Sequence, residues 1–351
     1  MGDILHALPA VTALRSALPD SRIGWAIEPQ WLPLLCAASA PQPPTRGPQM
    51  PVTDVLHPVP AKQWARNPLS PATISEIKAV RRALRSEQYD LCIDLQGAVR
   101  SAWIGRMAAA PVVGEADPRE PLARWLFHRR VKTTGVHVIE QAREVVAAAL
   151  NEFAQTALPA CAAALPVDTE AERWCGQWLA ERCMEKFVLI NPGAGWGAKR
   201  WPAERYAAVA AELVNMGYAI VVNAGPGESQ LAQTICGSTG GRAFAMTGSI
   251  GQLVACTRRA SLFLGGDTGP LHLAAALQIP VIGIFGPTDP ARNGPYGTRA
   301  QILRHPASQR DHTRRSEPEA GLLTITVEDV LAATRQLLPV QSGSAETSQR
   351  A

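Results

Sequence analysis

The segment Gly265-Gly266-Asp267-Thr268-Gly269-Pro270-Leu271-His272 concentrates the chemistry of this sequence. An apolar run delivers a carboxylate, a hydroxyl and a glycine onto the start of a helix, where backbone N–H groups are unpaired and partly positive. That arrangement suits an anion. The Thr268 hydroxyl can donate to a phosphate oxygen, Gly269 permits close approach, and His272 follows about one turn later. The same pattern also describes Asp267 as a helix cap and His272 as an ordinary helix residue, and local pattern does not choose between the two readings. Upstream, the glycine-rich turn Asn191 to Pro202 ends in Lys199 and Arg200. A lysine there either neutralises a departing diphosphate or is one of a solvated basic pair. In Ala224-Gly225-Pro226-Gly227-Glu228, Glu228 either accepts from a ribose or occupies a favourable first helical turn. Thr247-Gly248 and Gly286 to Pro290 are either loops that close over the same ligand or simply turns.

These segments need a scaffold, and apolar periodicity supplies one. Strands are predicted at Phe187–Asn191, Ala219–Asn223, Leu262–Gly265 and Pro280–Phe285, alternating with helices at Pro202–Met216, Glu228–Ile235 and Gly269–Leu277. Alternation of this kind predicts a parallel sheet covered by helices, with ligands at the carboxyl ends of its strands. A last helix is expected at Val327–Leu338. In the first half, a helical pattern from Ile4 to Leu18 precedes a strand at Ile23–Ile27, and Pro41 to Pro60 reads as a connection. A charged helix at Ile74–Glu87, a strand at Tyr89–Asp94, a helix from near Val99 and another at His137–Leu150 follow. A doubly wound domain normally opens with a strand, so the first N-terminal strand is missing here and the true start is expected upstream of Met1. The Ala- and Pro-rich stretch 154–167 is the linker, giving domains at 1–160 and 168–339 and a disordered tail at 340–351.

Composition narrows the function. With 46% hydrophobic and 18% charged residues in 351, the chain is globular and long enough for two domains. A net charge of +4 is too mild to argue for nucleic acid but suits an anionic substrate or a membrane surface. The seven cysteines lack C-x-x-C spacing, which argues against zinc and against a disulfide scaffold and fits a reducing cytoplasm. No apolar run reaches a membrane span and no signal peptide opens the chain, so any membrane contact is expected to be peripheral. The absence of a Walker motif and of G-x-G-x-x-G with a following ribose acid disfavours ATPase and dehydrogenase readings.

Met1-Gly2-Asp3-Ile4-Leu5-His6 with Leu8-Pro9-Ala10, Tyr89-Asp90 with Ile93 to Gly97, Arg119 to Ala123, Asp267 to His272 and Gly286 to Pro290 together resemble bacterial glycosyltransferase family 9, most of all its lipopolysaccharide heptosyltransferase I branch. The resemblance spans nearly the whole chain. It implies a GT-B α/β fold of two facing Rossmann-like domains, with acceptor in the first and ADP-heptose donor in the second. It further implies inverting transfer of L-glycero-D-manno-heptose to Kdo of Kdo2-lipid A at the inner face of the cytoplasmic membrane, without an obligatory metal or other cofactor. Asp3 would be the base that takes the proton of a Kdo hydroxyl, and Lys199 would stabilise the ADP leaving group. Glu228, Thr247, Asp267, Thr268, Gly269 and His272 would hold the donor. Lys62, Arg66, Arg119, His137 and Arg143 resemble the family's basic acceptor-binding residues, and the aromatic residues among Arg124 to Arg130 would touch lipid. Heptosyltransferase II or another family member, a nucleotide-sugar epimerase and a non-catalytic donor-binding relative are the competing readings. An epimerase needs neither Asp3 nor an acceptor basic patch.

Overall fold

The computed structural model describes residues 1–151, 158–225, 227–308 and 316–338. The expected tail 340–351 and the start of the expected linker lie outside them. The described residues form two compact units, one built mainly from residues before Cys175 and the other mainly from those after it.

In the first unit the chain enters directly on helix α1 (Gly2–Ala17), followed by β1 (Gly24–Ile27), β2 (Val55–Pro58), α2 (Ala61–Arg66), α3 (Pro71–Ser86), β3 (Cys92–Asp94), α4 (Val99–Met107), β4 (Val112–Glu115), β5 (Arg129–Val131) and α5 (Val138–Leu150). These strands make two parallel sheets, β1-β2 and β3-β4-β5. Helix α1 is apolar on most of its surface because it packs inward, with Ala10 set against Ala142, Val146 and Leu150 of α5. Its far end is tied down by Arg15, which pairs with Asp54 while Asp54 also accepts from the Ile23 backbone N–H at 2.8 Å.

Two expectations need correction here. The Pro-rich stretch 41–60 is not all connection, since β2 lies inside it. Only β1 pairs with β2, so Pro58 at the end of this edge strand breaks no ladder on the open side. The strand expected from Tyr89 starts only at Cys92, because the Tyr89 side chain turns to place its hydroxyl 2.7 Å from His57 Nε2 and close against Gly24.

The second unit is reached through α6 (Thr169–Ala180) and reads β6 (Phe187–Asn191), α7 (Ala203–Asn215), β7 (Ala219–Asn223), α8 (Ser229–Gly237), β8 (Ala243–Met246), α9 (Ile250–Arg259), β9 (Leu262–Gly266), α10 (Gly269–Ala276), β10 (Val281–Phe285), α11 (Pro290–Asn293), β11 (Ala300–Arg304), α12 (Ala320–Thr324) and α13 (Val327–Leu337). Its sheet is parallel with order β11-β10-β9-β6-β7-β8. The order reverses between β6 and β9, as in dinucleotide-binding sheets, which locates the ligand crevice at the carboxyl ends of those two strands. Strands β6, β9 and β10 are buried along their whole length, which is why each reads as an unbroken apolar run instead of an alternation. Helix α7 buries Tyr206, Val209, Ala210 and Leu213 at helical spacing. It stops at Gly217 (φ 90°), where the N–H groups of Gly217 and Tyr218 donate to Val214 and Leu213 carbonyl oxygens at 2.9 and 3.0 Å.

Leu264, at the middle of β9, is fully buried between Ile190 of β6 and Ile282 of β10 in the same cluster. Leu264→Ala is expected to lower unfolding stability by about 2–5 kcal/mol in urea denaturation, and a loss under about 1 kcal/mol would contradict the central place of β9.

Candidate active site

In the second unit, the turn after β9 carries Asp267 and Thr268, and the loop after β6 returns to meet it. Gly265 and Gly266 make that approach possible, since a Cβ on Gly265 would stand 2.9 Å from the Asn191 carbonyl oxygen and one on Gly266 3.2 Å from that of Lys199. The 3-10 turn Gly197–Lys199 then aims Lys199 at Asp267. Its ammonium pairs with Asp267 Oδ2, lies 3.4 Å from the Asp267 carbonyl oxygen and rests 4.5 Å over the Trp196 ring. On the other carboxylate oxygen, His272 Nε2 sits at 3.1 Å.

The Lys199 and Asp267 side chains are 10% and 8% exposed. Burial pushes the Asp267 carboxyl up, but the His272 hydrogen bond and the Lys199 ammonium outweigh it and hold the group well below the ordinary carboxylate range. Asp267 is therefore an ion-pair anchor and does not cap α10. That helix has Thr268 at its N-cap with no side-chain bond to its first turn, which leaves its leading N–H groups available to an anion.

Asn191 and Asn223, which sequence reasoning did not single out as ligands, complete the network. Asn223 Nδ2 donates to Asn191 Oδ1 at 2.6 Å, and Asn191 Nδ2 reaches the Gly193 carbonyl oxygen at 3.1 Å and Thr268 Oγ1 at 3.4 Å. The ends of β7, β6 and β9 are thus joined by side chains. Their sequence signal is an amide closing an otherwise apolar strand. Glu228 precedes α8 and accepts from the Gly225 N–H at 2.8 Å, and it lies so close to Gly193 that a Cβ there would stand 1.9 Å from Oε1. Thr247 is exposed just past β8, and Gly269 is the first residue of α10.

In the first unit, Asp3 sits in the first turn of α1, where its Oδ2 accepts from Gln96 Nε2 at 2.9 Å and from Arg119 Nη1 at 3.3 Å. The turn after β3 makes this geometry. Asp94 accepts from the Gln96 and Gly97 N–H groups at 2.9 and 2.7 Å, and Gly97 adopts φ 65°. A Cβ on Gly97 would stand 2.9 Å from the Arg119 nitrogen, and Glu120 N–H donates to the Gly97 carbonyl at 2.8 Å, so the turn also sets Arg119 in place. Desolvation pushes the Asp3 carboxyl up, yet the Gln96 hydrogen bond and the Arg119 charge prevail and keep it below its usual value. At neutral pH it is an ionised proton acceptor.

The remaining basic residues are dispersed. Lys62 and Arg66 are exposed on α2, while His137 caps α5 by accepting from the Ile139 N–H at 3.2 Å and stands edge-on to His6 with ring centroids 6.0 Å apart. Arg143 donates to the carbonyl oxygens of Leu158 and Pro159 at 3.4 and 3.2 Å. Among the described residues no group of His, Cys, Asp or Glu is arranged to hold a metal ion, and no helix is long and apolar enough to cross a membrane.

Comparison with known proteins gives this geometry its context. The chain is 27% identical to lipopolysaccharide heptosyltransferase 1 of Pseudomonas aeruginosa over 86% of its length and 80% of that protein's. It is 26% identical to lipopolysaccharide heptosyltransferase 3 of Escherichia coli over 98% and 97% of the two chains. The solved structure of the E. coli heptosyltransferase WaaC with ADP-2-deoxy-2-fluoro heptose superposes with a TM-score of 0.73, at 25% identity over 96% of both chains. That likeness bears out the GT-B α/β fold. The model of glycosyltransferase family 9 (heptosyltransferase) matches residues 77–322, and the chain belongs to this family of glycosyltransferases.

Proposed function

We propose that this enzyme transfers L-glycero-D-manno-heptose from ADP-heptose to a Kdo hydroxyl of Kdo2-lipid A, with inversion, in the assembly of the lipopolysaccharide inner core. The observation that carries the choice of acceptor is Arg119 at 3.3 Å from the Asp3 carboxylate. A guanidinium beside the proton acceptor is a receptor for a carboxylate, and an acidic sugar such as Kdo offers a hydroxyl and a carboxylate together. Asp3 takes the proton of the attacking hydroxyl, and the new bond forms at the anomeric carbon as the bond to the ADP oxygen breaks. Charge growing on the departing diphosphate meets Lys199 and the open N–H groups of α10, with Thr268, Gly269 and His272 beside them. Glu228 and Thr247 receive the nucleoside end. Of the other basic residues, Lys62 and Arg66 on α2 are exposed to meet the acceptor's anionic groups, whereas His137 and Arg143 are engaged in the bonds described above.

The lipid acceptor is reached at the cytoplasmic face of the membrane, by peripheral contact through the segment around Trp125. Leu122 and Trp125 there are 69% and 66% exposed, and the guanidinium groups of Arg124 and Arg130 lie 5.3 and 5.2 Å from the Trp125 ring centroid. Exposed apolar side chains among arginines suit an interface of acyl chains and anionic head groups. The full-length similarity to a heptosyltransferase 3 favours a second reading, a different heptosyl acceptor. Product analysis separates them: the proposal expects turnover of Kdo2-lipid A and none of an acceptor whose Kdo already carries heptose, and the reverse pattern overturns it.

Asp3→Asn is expected to lower kcat by about 10²–10⁴-fold with ADP-heptose affinity unchanged, measured by turnover and by calorimetry. Because the Asp3 carboxyl is held below its usual value, activity should be lost only as pH falls through that lowered value. Arg119→Ala removes one of the groups holding it down, so the acid limb of kcat/KM should move to higher pH, and an unmoved limb would remove Asp3 from the role of base.

Lys199→Met is expected to reduce kcat by about 10²–10³-fold. It should also destabilise the unit by about 3–5 kcal/mol, since Asp267 is left buried without its ammonium. In the unsubstituted enzyme Asp267, with its lowered folded value, adds stability that is fully present above the unfolded carboxylate value and fades as pH falls through the folded one. Gly193→Ala should raise KM for the donor with a smaller change in kcat, by displacing Glu228; equal KM values would separate Glu228 from donor binding.

A further inference from the structure

Arg85, Arg106 and His128 line a cavity of about 410 Å³ in the first unit, together with Ala109, Ala110 and Pro111. It lies away from Asp3. The turn that holds Asp3 follows the carboxyl end of β3, whereas Pro111 and His128 immediately precede β4 and β5, and Arg85 and Arg106 end α3 and α4. In a parallel sheet these are opposite edges, so the acceptor site does not account for the cavity.

Hydrogen bonding at His128 points to a missing acceptor. Its Nδ1 accepts from the Val112 N–H at 2.8 Å, so in the neutral ring the proton is on Nε2. Arg106 Nη1, which has only protons to offer, lies against both ring nitrogens, meeting Nε2 and standing 3.2 Å from Nδ1. Both N–H donors are satisfied by an anion in the adjoining cavity that accepts from each. Arg85, whose Nε donates to the Met107 carbonyl oxygen at 3.2 Å, adds a second guanidinium to the same wall. None of the three side chains forms an ion pair among the described residues. Helix dipoles explain an arginine in the last turn of each helix, but not an imidazole N–H turned toward a guanidinium.

We propose that this cavity is an anion site for a phosphate monoester group. Two planar guanidinium forks and an imidazole N–H converge from three elements, which matches a tetrahedral oxyanion with three terminal oxygens better than a flat carboxylate. The cavity has room for a substituent beyond the phosphorus. Such a group is presented by a soluble phosphate ester or by the head group of phosphatidic acid.

The test is a titration of the full chain with inorganic phosphate at constant ionic strength, following the Val112 amide and the His128 ring by NMR. The expected result is a saturable shift at both, retained in Lys199→Gln and weakened about tenfold or more in Arg106→Gln, the loss of one charge-assisted bond. Arg106 is exposed, and Arg85→Gln repeats the test from another helix. A shift that does not saturate, that chloride reproduces, or that survives both arginine substitutions overturns the proposal. Glycerol 3-phosphate and phosphatidic acid vesicles then separate the sources. Competition by the soluble ester with no vesicle binding assigns a metabolite, and sedimentation with vesicles that Arg106→Gln abolishes assigns a lipid head group.

Discussion

A carboxylate with almost no water around it must be matched by charge and hydrogen bonds, and Asp267 imposes that requirement on the second unit. Lys199 and His272 meet it from different elements, one on the loop after β6 and one inside α10. Much of the local sequence follows from bringing them there. Gly265 and Gly266 let the β6 loop lie against the end of β9, and Gly197 packs where a Cβ would run into the Ser316 carbonyl. The lysine is therefore held in place by the fold itself, and a preset cation needs little reorganisation to meet negative charge.

Asp3 is arranged by other means. It remains accessible to solvent, and one amide and one guanidinium orient it from a turn and a loop that Gly97 brings together. Such a carboxylate is ionised yet open to an incoming hydroxyl, which is what a base requires. The contrast is between a buried, paired carboxylate that fixes a cation and an exposed, oriented one that stays ionised.

What the sequence made legible follows from how local each signal is. Strands β6, β7, β9 and β10 are continuous apolar runs bounded by glycine or proline, and their positions can be read within a residue or so. The Asp267 segment announces itself because unusual residue types stand at a strand end. Its pairing with Lys199 did not, since nothing local distinguishes an aspartate that caps a helix from one that meets a lysine from a distant loop. Asn191, Asn223 and Gln96 carry only a weak local signal for the same reason: an amide becomes informative only when its partner is known. Short strands such as β2, β4, β5 and β8 carry too few residues for periodicity, and β2 was hidden further by prolines that an edge strand tolerates. No local pattern distinguishes Asp3, which stands out only through the family resemblance of the segment Met1 to His6.

The strand order of the second unit also has a consequence for how the chain acquires its shape. Strand β6 pairs with β7, its neighbour in sequence, on one side, and with β9 on the other. During synthesis the first ladder can form early, whereas the second waits until β7 and β8 have been made and the chain has crossed back. The apolar edge of β6 is open during that interval, and the contacts that close it are long-range and slow to form. The crevice between β6 and β9 is therefore among the last features to be assembled, and a chain halted after β8 would carry a partial sheet with the loops after β6 and β7 but no Asp267.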